Sequence, residues 1–108
     1  MTDVGPAFRA LADPTRRRIM ELVAEGSMSA GEIAAHFNTT RPAVSQHLTV
    51  LRQAGLIHEH RVGSRRLYQA QPEVVGKVIE YLQGFWAPRL SELKRQAERR
   101  EKHRRGGS

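Results

Sequence analysis

The stretch Thr40 to Gly55, TRPAVSQHLTVLRQAG, constrains this chain more than any other. Val44, Leu48 and Leu51 fall at i, i+4 and i+7, the spacing of one apolar stripe on an α-helix. Such a stripe has to rest on a core. At about 100° per residue, Pro42, Ser45, Gln46 and Thr49 cluster on the opposite side, with Arg41 at its edge. This outer face has hydroxyls, one amide and one guanidinium and no carboxylate, a set that can read base edges or grip phosphates. Thr40 is placed to cap the helix, because its hydroxyl can accept a first-turn N–H. Pro42 is tolerated beside it, since first-turn N–H groups lack helical partners. Gly55 suits the left-handed residue that closes a helix. An ordinary amphipathic surface helix has the same pattern, so the neighbouring segments decide between the readings.

The segments before it are short helices. Val4, Phe8, Leu11 and Ala12 have helical spacing, and we expect a helix from about Pro6 to Ala12. Asp13-Pro14 is a helix start, with Asp as N-cap and Pro in the first turn. Ile19, Leu22 and Val23 supply its buried stripe, with Met20 beside it, and Gly26 closes it. Arg16, Arg17 and Arg18 point different ways round that helix, toward a phosphate, a solvated face, or Glu21 and Glu25. Ser29-Ala30-Gly31-Glu32 matches the capping box and opens a helix from Ala30 to about His36. Asn38-Thr39 then turns the chain into the Thr40 helix. Short helix, tight turn and longer helix with a polar face is the helix-turn-helix pattern.

After Gly55, Leu56 to Val62 reads as a strand, Gly63-Ser64 as a two-residue turn and Arg65 to Ala70 as the returning strand. The tip, Arg61 to Arg66, is cationic and small, suited to a minor groove or its phosphates. A hairpin that merely caps the core would look similar. From Pro72 a long helix is expected to about Arg100, with Val75, Val78, Ile79, Leu82, Phe85, Trp86, Leu90, Leu93 and Ala97 on its apolar side. So small a domain cannot cover that stripe, which suggests a second copy across a two-fold axis. Gly84 and Ala87-Pro88 predict a kink or restart. We therefore expect one domain over residues 1–100 and a flexible basic tail over 101–108.

The net charge of +7 is unevenly placed. Residues 40–66 hold five arginines against Glu59 alone, and residues 89–105 hold eight Lys/Arg against three Glu. Basicity confined to these segments points to a polyanion partner. Cysteine is absent, which excludes disulfides, thiolate metal sites and cysteine nucleophiles. No apolar run approaches the roughly 18 residues of a membrane span, and the N-terminus MTDVGPAF has no secretory pattern. A cytoplasmic protein is expected. Paired carboxylates with a pocket, nucleophile motifs and phosphate-binding glycine loops are missing, so no enzyme is expected.

ALADPTRRRIMELV, TRPAVSQHLTVLRQAGLI and RVGSRRLYQ, in this order, resemble the ArsR/SmtB family of bacterial winged helix-turn-helix repressors. The resemblance covers roughly residues 6–93. It implies a mainly α fold with a small β-hairpin and N- and C-terminal dimerisation helices. It implies a homodimer that occupies double-stranded operator DNA, a near-palindrome, and leaves it when a signal binds. By position, the family's DNA-touching residues fall on Arg41, Pro42, Ser45 and Gln46, with Thr40 at the cap; the periodicity adds Thr49. Arg41 would meet a guanine edge or a phosphate, Gln46 an adenine or its neighbour, and Pro42 a thymine methyl or a sugar. Arg65, with Arg61 and Arg66, would serve the wing. Phe8, Leu82, Phe85, Trp86, Leu90 and Leu93 would form the dimer interface.

The chain departs from the family in its sensor. Where many relatives carry a cysteine pair, this chain reads Ser27-Met28-Ser29-Ala30-Gly31-Glu32. Its last helix offers Glu73, Glu80, Glu92 and Glu98 and no histidine before His103. His58 and His60 share a strand face without a third ligand, and His47 flanks the DNA face at either a phosphate or the core edge. No metal and no cofactor are expected. A sensor for a metal or a small molecule, the latter lodged near Phe85 and Trp86, is one alternative function. A protein–protein adaptor on the same fold is another.

Overall fold

The computed structural model describes the backbone of residues 3–106 and side chains as far as residue 102. The chain divides after Lys77 into two compact units. The first holds α1 (Gly5–Leu11), α2 (Pro14–Ala24), α3 (Ala30–Ala34), α4 (Arg41–Gln53), β1 (Ile57–Val62), β2 (Arg65–Ala70) and the first turns of α5 (Pro72–Gly106). The rest of α5 is the second unit. Among the described residues no helix is long and apolar enough to cross a membrane.

Local chemistry starts α2, α3 and α4 where the sequence places them. The Asp13 carboxylate accepts the Arg16 N–H at 3.0 Å. Ser29 and Glu32 complete a reciprocal capping box, each accepting the other's backbone N–H at 3.1 Å. The Thr40 hydroxyl accepts the Ala43 N–H at 3.3 Å. The short helix α3 stops at Ala34 rather than His36. His36 and Phe37 donate to Ile33 and Ala34, three residues back, and these tighter bonds end the α-helix.

Two bonds close α4: Gly55 N–H donates to the Arg52 carbonyl and Leu56 N–H to that of Leu51, both at 3.0 Å. This Schellman end needs a left-handed residue, and Gly55 has φ +79°. It sends the chain straight into β1, which begins at Ile57; just before it the Leu56 carbonyl accepts the Gln71 N–H at 2.8 Å, extending the ladder bonds. β1 and β2 pair antiparallel from Ile57 opposite Ala70 to Val62 opposite Arg65. Gly63, at φ +63°, opens the two-residue turn between them. Met28, between α2 and α3, pairs with Tyr68 through bonds of 3.0 and 2.7 Å, so the hairpin is anchored to the helices through its second strand.

The core of this unit takes the whole α4 stripe and Ile19 and Val23 of the α2 stripe, while from α1 Ala7 and Ala10 are buried rather than Val4, Phe8, Leu11 and Ala12. Ile19, Val23, Ile33, Val44, Leu48, Leu51, Leu56 and Ile57 are all at most 2% exposed. Leu22 and Met20 are only half-buried. The three consecutive arginines of α2 divide their work in a way the spacing did not predict. Arg16 Nε donates to the Ala10 carbonyl at 2.6 Å and its Nη2 to that of Arg9 at 3.2 Å. Arg17 Nη1 reaches the Leu11 and Ala12 carbonyls at 2.8 and 3.0 Å. Both guanidiniums thereby satisfy the open carbonyls at the end of α1, where cations are favoured. Arg18 pairs with Glu21 at 3.0 Å, as expected.

In the second unit α5 is continuous to Gly106, with Pro88 in its interior. The restart expected at Ala87-Pro88 does not occur. Residues 101–106 of the expected tail are helical, and Gly107 and Ser108 lie outside the described residues.

Leu51→Ala should cost about 2–5 kcal/mol, because its site is closed on all sides. Its neighbour Val50 is 37% exposed, and Val50→Ala should stay within about 0.5 kcal/mol of the parent. Urea unfolding of the two variants measures both.

Candidate nucleic-acid interface

Burial of Val44, Leu48 and Leu51 fixes how α4 is rotated and leaves Arg41, Pro42, Ser45, Gln46 and Thr49 exposed together on its outer face. Thr40 is exposed too, but its hydroxyl is engaged as the cap. The Thr49 hydroxyl donates to the Ser45 carbonyl at 3.0 Å, so toward a partner it is an acceptor. Arg41 lies over α3, its guanidinium about 3.8 Å from where a Cβ on Gly31 would stand. An alanine at 31 would make ordinary van der Waals contact with it.

Between α4 and the hairpin lies a cleft of about 450 Å³ lined by Ser29, Ala30, Arg41, Ser45, Ser64, Arg65, Arg66 and Tyr68. The fold thus brings Arg41 and Ser45 of the helix together with Arg65 and Arg66 of the hairpin. Arg61 stands opposite Arg66 in the β register and is exposed. Like charges directly opposite repel, and Glu59 offsets the charge of Arg66.

Neither the outer face of α4 nor the lining of the cleft has a carboxylate, but Glu59 and Glu32 pair with the cleft's Arg66 and Arg65. Glu59 accepts Arg52 Nη1 at 3.0 Å and faces Arg66 Nε at 3.6 Å, tying the last turn of α4 to the hairpin. Burial and then the Glu59 charge push the Tyr68 phenol above its ordinary range. Glu32, thirty-three residues from Arg65, is ion-paired with it. The Ser29 backbone bond, then the Ser29 hydroxyl, hold the Glu32 carboxyl below its usual range against an opposing desolvation, and Arg65 adds a lesser contribution. Glu32 reads in the sequence only as a helix cap, and its second role needs the three-dimensional fold.

The sequence relationships agree with this geometry. The profile of the bacterial regulatory proteins of the arsR family matches residues 13–59, from the cap of α2 into β1. The transcriptional repressor SdpR of Bacillus subtilis is 42% identical over 78 residues, covering 72% of this chain and 87% of that protein. The chain belongs to the ArsR family. A helix-turn-helix-type transcriptional regulator of Mycobacterium tuberculosis is 44% identical over 85 residues, 79% of each chain. Among solved structures, a possible transcriptional regulator for arsenical resistance superposes with TM-score 0.69 at 35% identity, covering 82% of this chain and 92% of its own. An ArsR-like transcriptional regulator from Rhodococcus gives 0.70 at 29%, covering 87% and 92%. The hairpin is therefore the wing and α4 the recognition helix of a winged helix-turn-helix, and this ArsR-family chain is a transcriptional regulator.

The histidines of this ArsR-family chain are dispersed. His58 and His60 lie 5.6 Å apart, ring centre to ring centre, on β1. Among the described residues no three His, Asp or Glu side chains are grouped to hold a metal ion. His47 turns from the outer face toward α2, with its Nδ1 3.3 Å from Arg16 Nη1 and 4.0 Å from the Asp13 carboxylate. It therefore lies at the core edge. Through it the recognition helix is joined to the arginine that caps α1.

Asp13 begins that chain of contacts. The Arg16 backbone N–H holds its carboxyl below the ordinary value against an opposing desolvation, with lesser help from the charges of His47 and Arg16. A depressed folded-state pKa contributes stability that is complete above the unfolded value of about 3.9 and is lost as pH falls through the folded one. Asp13→Asn keeps a good N-cap and removes the charge. The variant should be less stable than the parent at pH 7, and the gap should close as pH falls below about 4. Urea midpoints measured at several pH values read this directly.

Proposed function

We propose that this regulator is a homodimeric, sequence-specific repressor that binds a near-palindromic operator in the bacterial cytoplasm. The observation that carries the DNA half of the proposal is the convergence of Arg41 and Ser45 of the recognition helix with Arg65 and Arg66 of the wing on one cleft. Beside the cleft, Gln46 is exposed. A side-chain amide can bond adenine bidentately in a major groove wide enough for a helix. Arg41 stands at the start of α4, where a phosphate or a guanine edge is reached. Pro42 can offer only apolar contact, to a thymine methyl or a sugar. Arg61, Arg65 and Arg66 give the wing its attraction to the adjacent backbone. Repression is the activity carried in the name of the Bacillus relative.

The dimer half of the proposal rests on the second unit. Leu82, Phe85, Trp86, Leu90 and Leu93 are each 40–58% exposed and recur every three or four residues along α5. Burying side chains of this size is worth roughly 1.5–3 kcal/mol each, so a matching helix is the natural cover. Stacking already orders part of this face: Tyr81 and Phe85 lie parallel at 6.0 Å, and Trp86 meets Phe85 edge-on at 5.1 Å. We include Phe8 of α1, which is 36% exposed on its own unit, in the interface. A two-fold dimer would present recognition helices about 34 Å apart, one duplex turn.

Two experiments test the two halves. Selection from a random duplex library should return a near-palindrome with half-sites one turn apart. On that operator Gln46→Ala should relax base preference at one position per half-site, costing about 1–3 kcal/mol there. Arg65→Ala should weaken all sequences alike and lower the salt slope by about 0.9 per protomer. Identical base-substitution profiles for the two variants would contradict the assignment. Leu90→Glu should convert the dimer to a monomer in sedimentation and reduce operator binding to the level of random DNA; a dimer that persists would move the interface elsewhere.

A further inference from the structure

The Arg65–Glu32 pair has a feature that plain wing attachment does not require. Glu32 Oε1 accepts from two donors, the Ser29 backbone N–H at 3.1 Å and Arg65 Nη2. Both side chains are half or more exposed, 59% for Arg65 and 50% for Glu32. Arg65 lines the cleft that also holds Arg41 and Arg66. A carboxylate is thus bonded to one of the cations with which the cleft would receive a phosphate.

We propose that Glu32 is a built-in competitor of the DNA backbone: it occupies Arg65 in the free protein, and a phosphate entering the cleft takes Arg65 from it. The inference rests on the DNA-binding reading above. The energies favour the exchange. An exposed ion pair is worth about 0–1 kcal/mol, whereas an arginine–phosphate pair is frequently bidentate and is assisted by counterion release. Glu32 does not leave when it is displaced. Its hold on the Ser29 N–H keeps the carboxylate beside Arg65, so the broken pair is a cost carried for as long as the phosphate stays. The consequence is a penalty on every duplex, whatever its sequence. Non-specific binding is weakened as much as specific binding, and discrimination is left to the base-reading face of α4.

Glu32→Gln isolates this effect, because glutamine serves the capping box as well as glutamate does. Duplex affinity is measured by fluorescence anisotropy at about 0.1 M salt for the wild type, E32Q, R65A and the double variant, on the selected operator and on a random duplex. E32Q should bind both duplexes about 2–5-fold more tightly, the range of one exposed ion pair. In the R65A background the same change should gain less than about 1.5-fold. An equal gain with and without Arg65 overturns the proposal, since Glu32 would then act only through the general field. Unchanged or weaker binding by E32Q overturns it too. A second measurement uses the unaltered protein: the Glu32 side-chain carboxyl carbon resonance should shift when duplex is added, and a carboxyl that stays put while α4 resonances move overturns the exchange. If the wild type ignores duplex at every salt concentration, the DNA-binding reading falls with it. If it binds and only the Glu32 results fail, this inference falls alone.

Discussion

Burial of Val44, Leu48 and Leu51 is the constraint on which the first unit depends. A helix buried along one stripe has no freedom to rotate, so the side chains on the opposite face are fixed in direction by packing they do not share. Exposure of Ser45 and Gln46 is therefore a consequence of core volume. The same stripe sets the exit of the chain. Leu51 contributes its side chain to the core and its carbonyl to the Leu56 N–H, and the left-handed Gly55 between them turns the backbone toward the wing. A Cβ on Gly55 would stand 3.0 Å from Val74 Cγ2, so conformation and space both select glycine there. Helix orientation and wing position are thus two results of one packing event.

The carboxylates near the wing show how a cationic surface is kept in order. In a hairpin of six-residue strands, the one directly opposed arginine pair, Arg61 and Arg66, is a local repulsion. Glu59 stands between Arg52 and Arg66, and Glu32 holds Arg65, so the wing is attached at two points to helices already fixed by the core. Exposed ion pairs of this kind contribute little to stability. Their weakness suits a surface that exchanges partners, because a pair worth less than about 1 kcal/mol orders a side chain in the free protein and yields to a polyanion.

Much of this organisation is legible in the sequence because it is made by neighbours. Asp13-Pro14, Ser29 with Glu32, Thr40 and Gly55 act within a few residues of themselves, and each helix starts or ends where they stand. The two-residue turn at Gly63 fixes the hairpin register in the same local way. The apolar spacing of α4 gives its inner and outer faces. The features that cannot be read there join residues far apart in the chain. Arg16 shows only its place in a basic triplet, and nothing in that triplet says that it caps α1 and meets His47 thirty-one residues on. Glu32 matches a capping box completely, so no residual signal points to Arg65. A pattern that already has a sufficient local explanation conceals any second role.

Pro88 shows the converse case: of the kink or restart that the local rule allows there, the restart does not occur. Proline removes the N–H that would bond the Gly84 carbonyl and presses its ring on it, at a cost of about 3 kcal/mol in a helix interior. The helix nevertheless continues. The side chains around this turn are exposed, so water can reach the freed carbonyl and limit the loss. At the next residue, Arg89 adds its own support: its Nη1 donates to the Phe85 carbonyl at 2.5 Å, and its guanidinium carbon lies 3.8 Å above the Phe85 ring. These contacts reduce the defect without removing it. Exposed helices draw most of their stability from packing of an apolar face. A helix that carries a proline, and keeps Leu82, Phe85, Trp86, Leu90 and Leu93 in water, has the defect and lacks the packing. A second copy laid along that face would supply what is missing, so the proline strengthens the physical case for the dimer.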